Sequence, residues 1–255
     1  MRLTWSKLSF LLFGILVISL TCCSKQSYQP YYSWSDIEID SNIQRSAAIE
    51  EIITPYRIQL DSIMDEVIGH AVHELNASRE YESTLGTFVT KLLLDQSIAA
   101  YDTHVDVALM NHKGGLRAPI NKGDITLGDV FQVMPFENEM VLIDLTGDQL
   151  LEVIDKVANG GRSMIWPINY HATPEGPKEI TLNGEAIKSD GKYVLTVSDY
   201  MANGGSGFDM LTDLPRQDIE AVHLRDMIIS EIRELTAAGK RVQQDIMNTI
   251  TIQTP

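Results

Sequence analysis

Apolar positions recur at Leu60, Ile63, Met64, Val67, Ile68, Ala71, Val72 and Leu75, a spacing near the 3.6-residue period of a helix face. Thr54 can cap such a helix, and Pro55 then stands at its first position, where the missing N–H costs nothing. The pattern predicts a helix starting at Thr54. A second helix follows Ser83-Thr84 and buries Phe88, Val89, Leu92 and Leu93. Val105–Met110 reads as a strand that runs into a glycine loop, Asn111 to Arg117. Thr126 caps a short helix over Leu127–Val133, and Met140–Leu145 is a strand. Thr146 then caps a helix with the stripe Leu150, Leu151, Val153, Ile154 and Val157, closed by Asn159-Gly160-Gly161. Tyr193–Val197 is a strand entering a second glycine loop, Ala202 to Phe208. An amphipathic helix over Asp218–Ala238 stops at Gly239, and a β-like run over Ile246–Ile252 follows. Strands and helices alternate, so the fold class is α/β (α+β mixed), with mixed sheets flanked by helices.

The N-terminus breaks this pattern. Arg2 and Lys7 precede an apolar run, Leu8–Leu20, that is short for a membrane span and ends in Leu20-Thr21-Cys22-Cys23. The ending resembles a bacterial lipobox, with Cys23 as the acylated residue. The expected organisation is a lipoprotein signal peptide over 1–22, a polar and aromatic tether over 23–42, and one domain over 43–255. It begins with an N-terminal helical segment. That places the protein in the bacterial cell envelope, lipid-anchored, facing the periplasm from the outer membrane. An uncleaved anchor and an ordinary signal peptide are the alternatives. Cys22 and Cys23 are the only cysteines, so the domain has no disulfide and no cysteine metal site.

Charge narrows the partners. The formal net charge is −15, and because Arg2 and Lys7 lie in the leader, the remainder is more acidic still. Such a surface repels phosphate backbones and argues against a nucleic-acid polymer as ligand. A small anion remains compatible, because a pocket arginine can act inside an acidic protein.

Both glycine loops follow apolar strands, where binding groups tend to gather. Tight turns explain such loops as readily as ligands do. Arg117 beside Gly114-Gly115 is more telling, since a guanidinium gives planar, bidentate recognition of phosphate or carboxylate. Five blocks then occur in one order: Met110-Asn111 with Gly114-Gly115-Leu116-Arg117-Ala118-Pro119-Ile120; Gly123-Asp124-Ile125-Thr126; Met134-Pro135-Phe136-Glu137-Asn138; Leu145 to Leu150; and Asp199 to Phe208. Together they resemble the C-terminal, substrate-binding domain of bacterial and ecto-5′-nucleotidases, strongly over Arg79–Phe208.

The resemblance implies that Phe136 and Tyr200 sandwich a purine ring and that Asn138 hydrogen-bonds the base. It implies that Asn111 and Arg117 meet phosphate or ribose, and that Arg79 corresponds, through a looser match, to an upstream phosphate-binding arginine. Stacking is worth about 1–3 kcal/mol per base. Departures stand beside these matches. Ser206 replaces an acidic residue that holds the ribose hydroxyls, with Asp209 a nearby substitute. Lys91 stands where an Asp is usual. One extra residue between Asn111 and Arg117 lets His112 compete for the Asn role. The plainer readings are a core Phe136, a strand-capping Tyr200 and a solvated Arg117.

The family's catalysis belongs to a separate half, where two metal ions activate water and clamp the leaving phosphate. Its Gly-Asp-x-x-Asp and His-x-His motifs are not found. Asp102-Thr103-His104 and Asn111-His112 imitate fragments of it inside the binding-domain match, and His70 and His73 sit at i, i+3 of the first expected helix with no third partner. No catalytic residue, metal ligand or cofactor is therefore assigned to this chain, and divalent metals are expected only on a partner. The stretch between tether and first block is too short for a metallophosphoesterase domain. Three functions follow: a nucleotide clamp working with a separately encoded metallophosphoesterase, a non-catalytic periplasmic nucleoside-binding lipoprotein, and a scaffold that has lost the ligand. The first expects an uncovered apolar docking patch near Met134–Phe136 or the Trp166-Pro167 loop.

Overall fold

The computed structural model describes Asp36, residues 43–78 and residues 81–252. The expected signal peptide, Cys23, most of the expected tether and Arg79 lie outside these residues. Contacts divide the chain into Met1–Glu50 and Glu51–Pro255.

Helix α1 spans Ala47–Met64 and buries no side chain. Its start lies seven residues before Thr54, with Pro55 inside it, and its end precedes Val67. The sequence pattern had continued the helix through Leu75. Instead Val67–Ala71 form strand β1, antiparallel to β3 (Gly123–Thr126). Ile68 and Ala71 are three positions apart, which reads as one helix face; in the strand both are buried because the register shifts between Val67 and Gly69. His70 therefore stands on a strand, where its Nδ1 lies 3.1 Å from Asp124 Oδ1.

The centre of the domain is a four-stranded sheet ordered β4-β9-β2-β5, made of Met140–Thr146, Lys192–Ser198, Val107–Met110 and Met164–Trp166. Strand β9 runs parallel to β2 and antiparallel to β4, and β5 pairs antiparallel with β2. Every residue of β2 is buried, which is the mark of a strand covered on both faces. Ala108 and Met110 enter one apolar cluster, with Leu85, Phe88 and Leu92 of α2 (Thr84–Tyr101). Val107 and Leu109 enter the other, with Leu150, Val153, Ile154 and Val157 of α4 (Gly147–Gly160). The sheet thus separates two cores.

Local signals set the helix ends. Ser83 accepts a hydrogen bond from the Gly86 N–H at the start of α2. Thr126 and Thr146 form capping boxes with Asp129 and Gln149 at the starts of α3 (Leu127–Val133) and α4. Gly161 closes α4 at φ +58°.

A second sheet, ordered β10-β6-β7-β8, comprises Ile250–Ile252, Ile168–Thr173, Gly176–Leu182 and Glu185–Ala186. Strands β5, β7 and β8 had no clear periodic signature, whereas β6 alternates apolar and polar residues with matching burial and was overlooked. Trp166 belongs to β5 rather than to a loop. The last long helix, α5 (Leu224–Ala237), starts six residues later than its pattern suggested, because Met140 N donates to Val222 O and Leu224 N donates to Asn138 O. Those bonds hold the incoming chain extended. Of the expected docking patch, Pro135 and Phe136 are exposed and Trp166 is partly exposed. Met134 is 1% exposed and Pro167 is buried, whereas the exposed large apolar side chains include Ile49, Ile52, Tyr56, Ile58, Leu60 and Ile63, all on α1.

Candidate functional site

The two glycine loops leave the ends of neighbouring strands, β2 and β9, which run in the same direction. Parallel strands that diverge into loops leave a crevice beyond their carboxyl ends. A cavity of about 610 Å³ lies there, within the range of small-molecule sites. Asn111, Arg117, Phe136, Asn138, Tyr200 and Ser206 all line it. Of the candidate residues drawn from the sequence, only Arg79 and Cys23 fall outside the described residues.

The two rings are neither core residues nor distant from the cavity. Phe136 is 40% exposed and Tyr200 50% exposed. Phe136 rides on a turn held from behind by α5. The Arg225 guanidinium, 7% exposed, donates to the carbonyls of Met134 and Phe136 at 3.5 and 3.4 Å and packs 4.2 Å from the Phe131 ring centroid. Its other branch meets Glu137 at 3.3 Å. Nothing in the sequence pattern pointed to Arg225.

Tyr200 is fixed by its own loop. Its hydroxyl accepts from the Ser206 N–H at 3.3 Å. A Cβ on Gly205 would collide with the Tyr200 carbonyl and ring edge, so only glycine allows this approach. Asp199 ties the two ring-bearing segments together: its Oδ1 accepts from Tyr200 N at 2.8 Å, from Glu139 N at 3.2 Å and from Asn138 Nδ2 at 2.9 Å. With that amide committed, Asn138 presents its carbonyl oxygen as the remaining acceptor.

The first loop turns at Gly114, φ +114°. Asn111 Nδ2 donates to Ser206 Oγ at 3.2 Å, which joins the two glycine loops. Its Oδ1 packs where a Cβ on Gly115 would stand. The Arg117 guanidinium lies 5.9 Å from the Phe136 ring centroid and donates to Gly114 O at 3.4 Å.

His112 does not take the Asn role. It is fully buried, with Nδ1 2.8 Å from Ser83 Oγ, the cap of α2. Loss of solvation, then the charge of Lys113, pushes its pKa down to about 4, with the Gly161 backbone carbonyl opposing as an acceptor for the protonated ring. The ring is neutral and ties the loop to α2. Lys91 also stands elsewhere, 5.5 Å from the Trp166 ring. Asp209 does not line the cavity; its carboxylate packs near Gly204. Lys113, Lys156, Arg162, Ser163 and Phe208 line the cavity without having been singled out. Phe208 ended a quoted block, and the others have spacing typical of solvated surface.

Among the described residues no three His, Cys, Asp or Glu side chains gather as a metal site. These residues do not fit the two-metal centre of a phosphoesterase, so no hydrolytic step is assigned to them.

The fold and cavity define an α/β domain whose cavity is aromatic on its walls and cationic at its edges. The family model of the 5′-nucleotidase C-terminal domain matches residues 67–213, and the chain belongs to that family. It is 29% identical over 199 residues to the trifunctional nucleotide phosphoesterase protein YfkN of Bacillus subtilis, covering 70% of this chain and 13% of that protein. It is 28% identical over 186 residues to the 5′-nucleotidase of Vibrio vulnificus, covering 69% and 32%. Among solved structures, the 5′-nucleotidase precursor from Thermus thermophilus superimposes with a TM-score of 0.68 at 26% identity, covering 81% of this chain and 43% of that one. The chain therefore spans about a third or less of the length of these curated relatives.

Proposed function

We propose that this chain is the nucleotide-gripping half of a 5′-nucleotidase-type hydrolase and works with a separately encoded metallophosphoesterase that carries the divalent metals. The observation that supports the reading best is the pair of half-exposed rings, Phe136 and Tyr200, on the walls of one cavity with Arg117 beside them. A base fits between the rings, Asn138 offers an acceptor to its edge, and Arg117 with Asn111 meets the charged end. Held so, the phosphate is presented to the partner's metal-bound water, and the binding energy of base and ribose is converted into positioning. A lipid anchor at Cys23, holding the domain at the periplasmic face of the outer membrane, belongs to the same proposal.

Calorimetry with AMP and adenosine tests it. Phe136→Ala and Tyr200→Ala should each weaken AMP binding by about 5- to 150-fold, the equivalent of 1–3 kcal/mol of stacking. Equal affinities in the wild type and both variants would discard the clamp.

A further inference from the structure

Every charged side chain lining the cavity, among the described residues, is a cation: Lys113, Arg117, Lys156 and Arg162. That is unexpected in a chain of formal charge −15. A concentration of one sign in a concave site focuses the field on a ligand of the opposite sign. The cations are also spread over two places. Arg117 stands at the Phe136 ring. Lys156 stands at the second glycine loop, where a Cβ on Gly207 would come within 3.0 Å of its Nζ. Arg162, just beyond the Gly161 end of the same helix, has its guanidinium 3.5 Å from Lys113 O.

The hydrogen-bonding character of the Lys156 side is one-sided. Ser206 Oγ already accepts from Asn111 Nδ2, which leaves the hydroxyl proton to donate outward. The Lys156 ammonium only donates, and no carboxylate lines the cavity among the described residues. Besides the second lone pair of Ser206 Oγ, the charged side chains of this corner offer donors only. A phosphoryl group has only acceptors and negative charge at neutral pH, and it suits donors and a cation.

We propose that Lys156 and Ser206, with Arg162 at the rim, form a second anion subsite, so that the cavity prefers a nucleotide phosphorylated on a ribose hydroxyl as well as at the 5′ position. The ligand class is the nucleoside 3′(2′),5′-bisphosphate. The proposal rests on the stacked-nucleotide reading: with the base between the rings and the 5′-phosphate at Arg117, the ribose hydroxyl edge turns to Ser206 and Lys156.

The test is calorimetric titration of the full chain with adenosine, AMP and adenosine 3′,5′-bisphosphate, in the wild type and in Lys156→Gln. The wild type should bind the bisphosphate at least about tenfold more tightly than AMP, the factor that 1.4 kcal/mol gives. In Lys156→Gln that ratio should fall to about one. A wild-type ratio near one, with AMP binding still sensitive to Phe136→Ala, would overturn the subsite and leave the clamp standing. A ratio that survives Lys156→Gln would overturn the role of Lys156. If neither adenosine nor AMP binds, the clamp reading fails and the subsite with it.

Discussion

His112 shows how one residue can carry consequences that its type does not announce. As a loop histidine beside an asparagine it was a candidate ligand group, yet burial has made it a neutral strut between the first glycine loop and the cap of α2. Its folded pKa, about 4, lies below the ordinary histidine value of 6.5. Between those two values the unfolded chain binds more protons than the folded one, so stability rises with pH. The contribution is complete above about pH 6.5 and is lost as pH falls toward 4, by about 1.4 kcal/mol per unit. Urea midpoints measured at pH 7 and pH 5 should differ accordingly, and His112→Gln should flatten the difference. An unchanged pH slope in the variant would show that another group controls it. Ser206 makes a similar point. In the sequence it is a departure from an acidic position; in the structure it joins the two loops through Asn111 and holds the Tyr200 hydroxyl through its backbone N–H.

The elements that were legible are those whose ends carry their own chemistry. Thr126 and Thr146 each set a helix start by capping, and Gly161 sets an end by its left-handed φ. These interactions span only three or four residues, so they are written locally. Strand β5 pairs with β2 and the start of α5 is held by Asn138, partners far earlier in the chain that periodicity did not reveal; β6, β7 and β8 form successive hairpins that were overlooked. α5 is also the element that secures Phe136, through Arg225. Replacing Arg225 by Met keeps much of the apolar stem but strips the donors from Met134 O and Phe136 O. The expected cost is about 1–3 kcal/mol of stability for carbonyls left unpaired. AMP affinity should also fall several-fold, because the turn bearing the ring loses its backing. Thermal unfolding and calorimetry on the same preparation check both; the expected stability loss with unaltered affinity would remove Arg225 from the support of the site.

For the domain as a whole, the central sheet couples two cores, since alternate residues of β2 belong to different clusters. Leu109 is fully buried on the α4 side. Leu109→Ala should cost about 2–5 kcal/mol. Far-UV and near-UV circular dichroism should report one coincident unfolding transition, and separated transitions would show that the two cores melt independently.

The order of motif blocks, the α/β alternation, the capped helices and the acid-rich charge balance were determined by the sequence alone. Each rests on residue identity or on contacts a few positions apart. Tertiary structure decided the rest. It turned Val67–Ala71 from a helix face into a strand by giving it Gly123–Thr126 to pair with. It buried His112 while leaving Asn111 on the cavity wall, and it carried Lys156 and Arg162 from the end of α4 to the same cavity. Burial, pairing and cavity walls are properties of segments separated by tens of residues, and a pattern of period two or four contains no information about which distant segment will lie opposite.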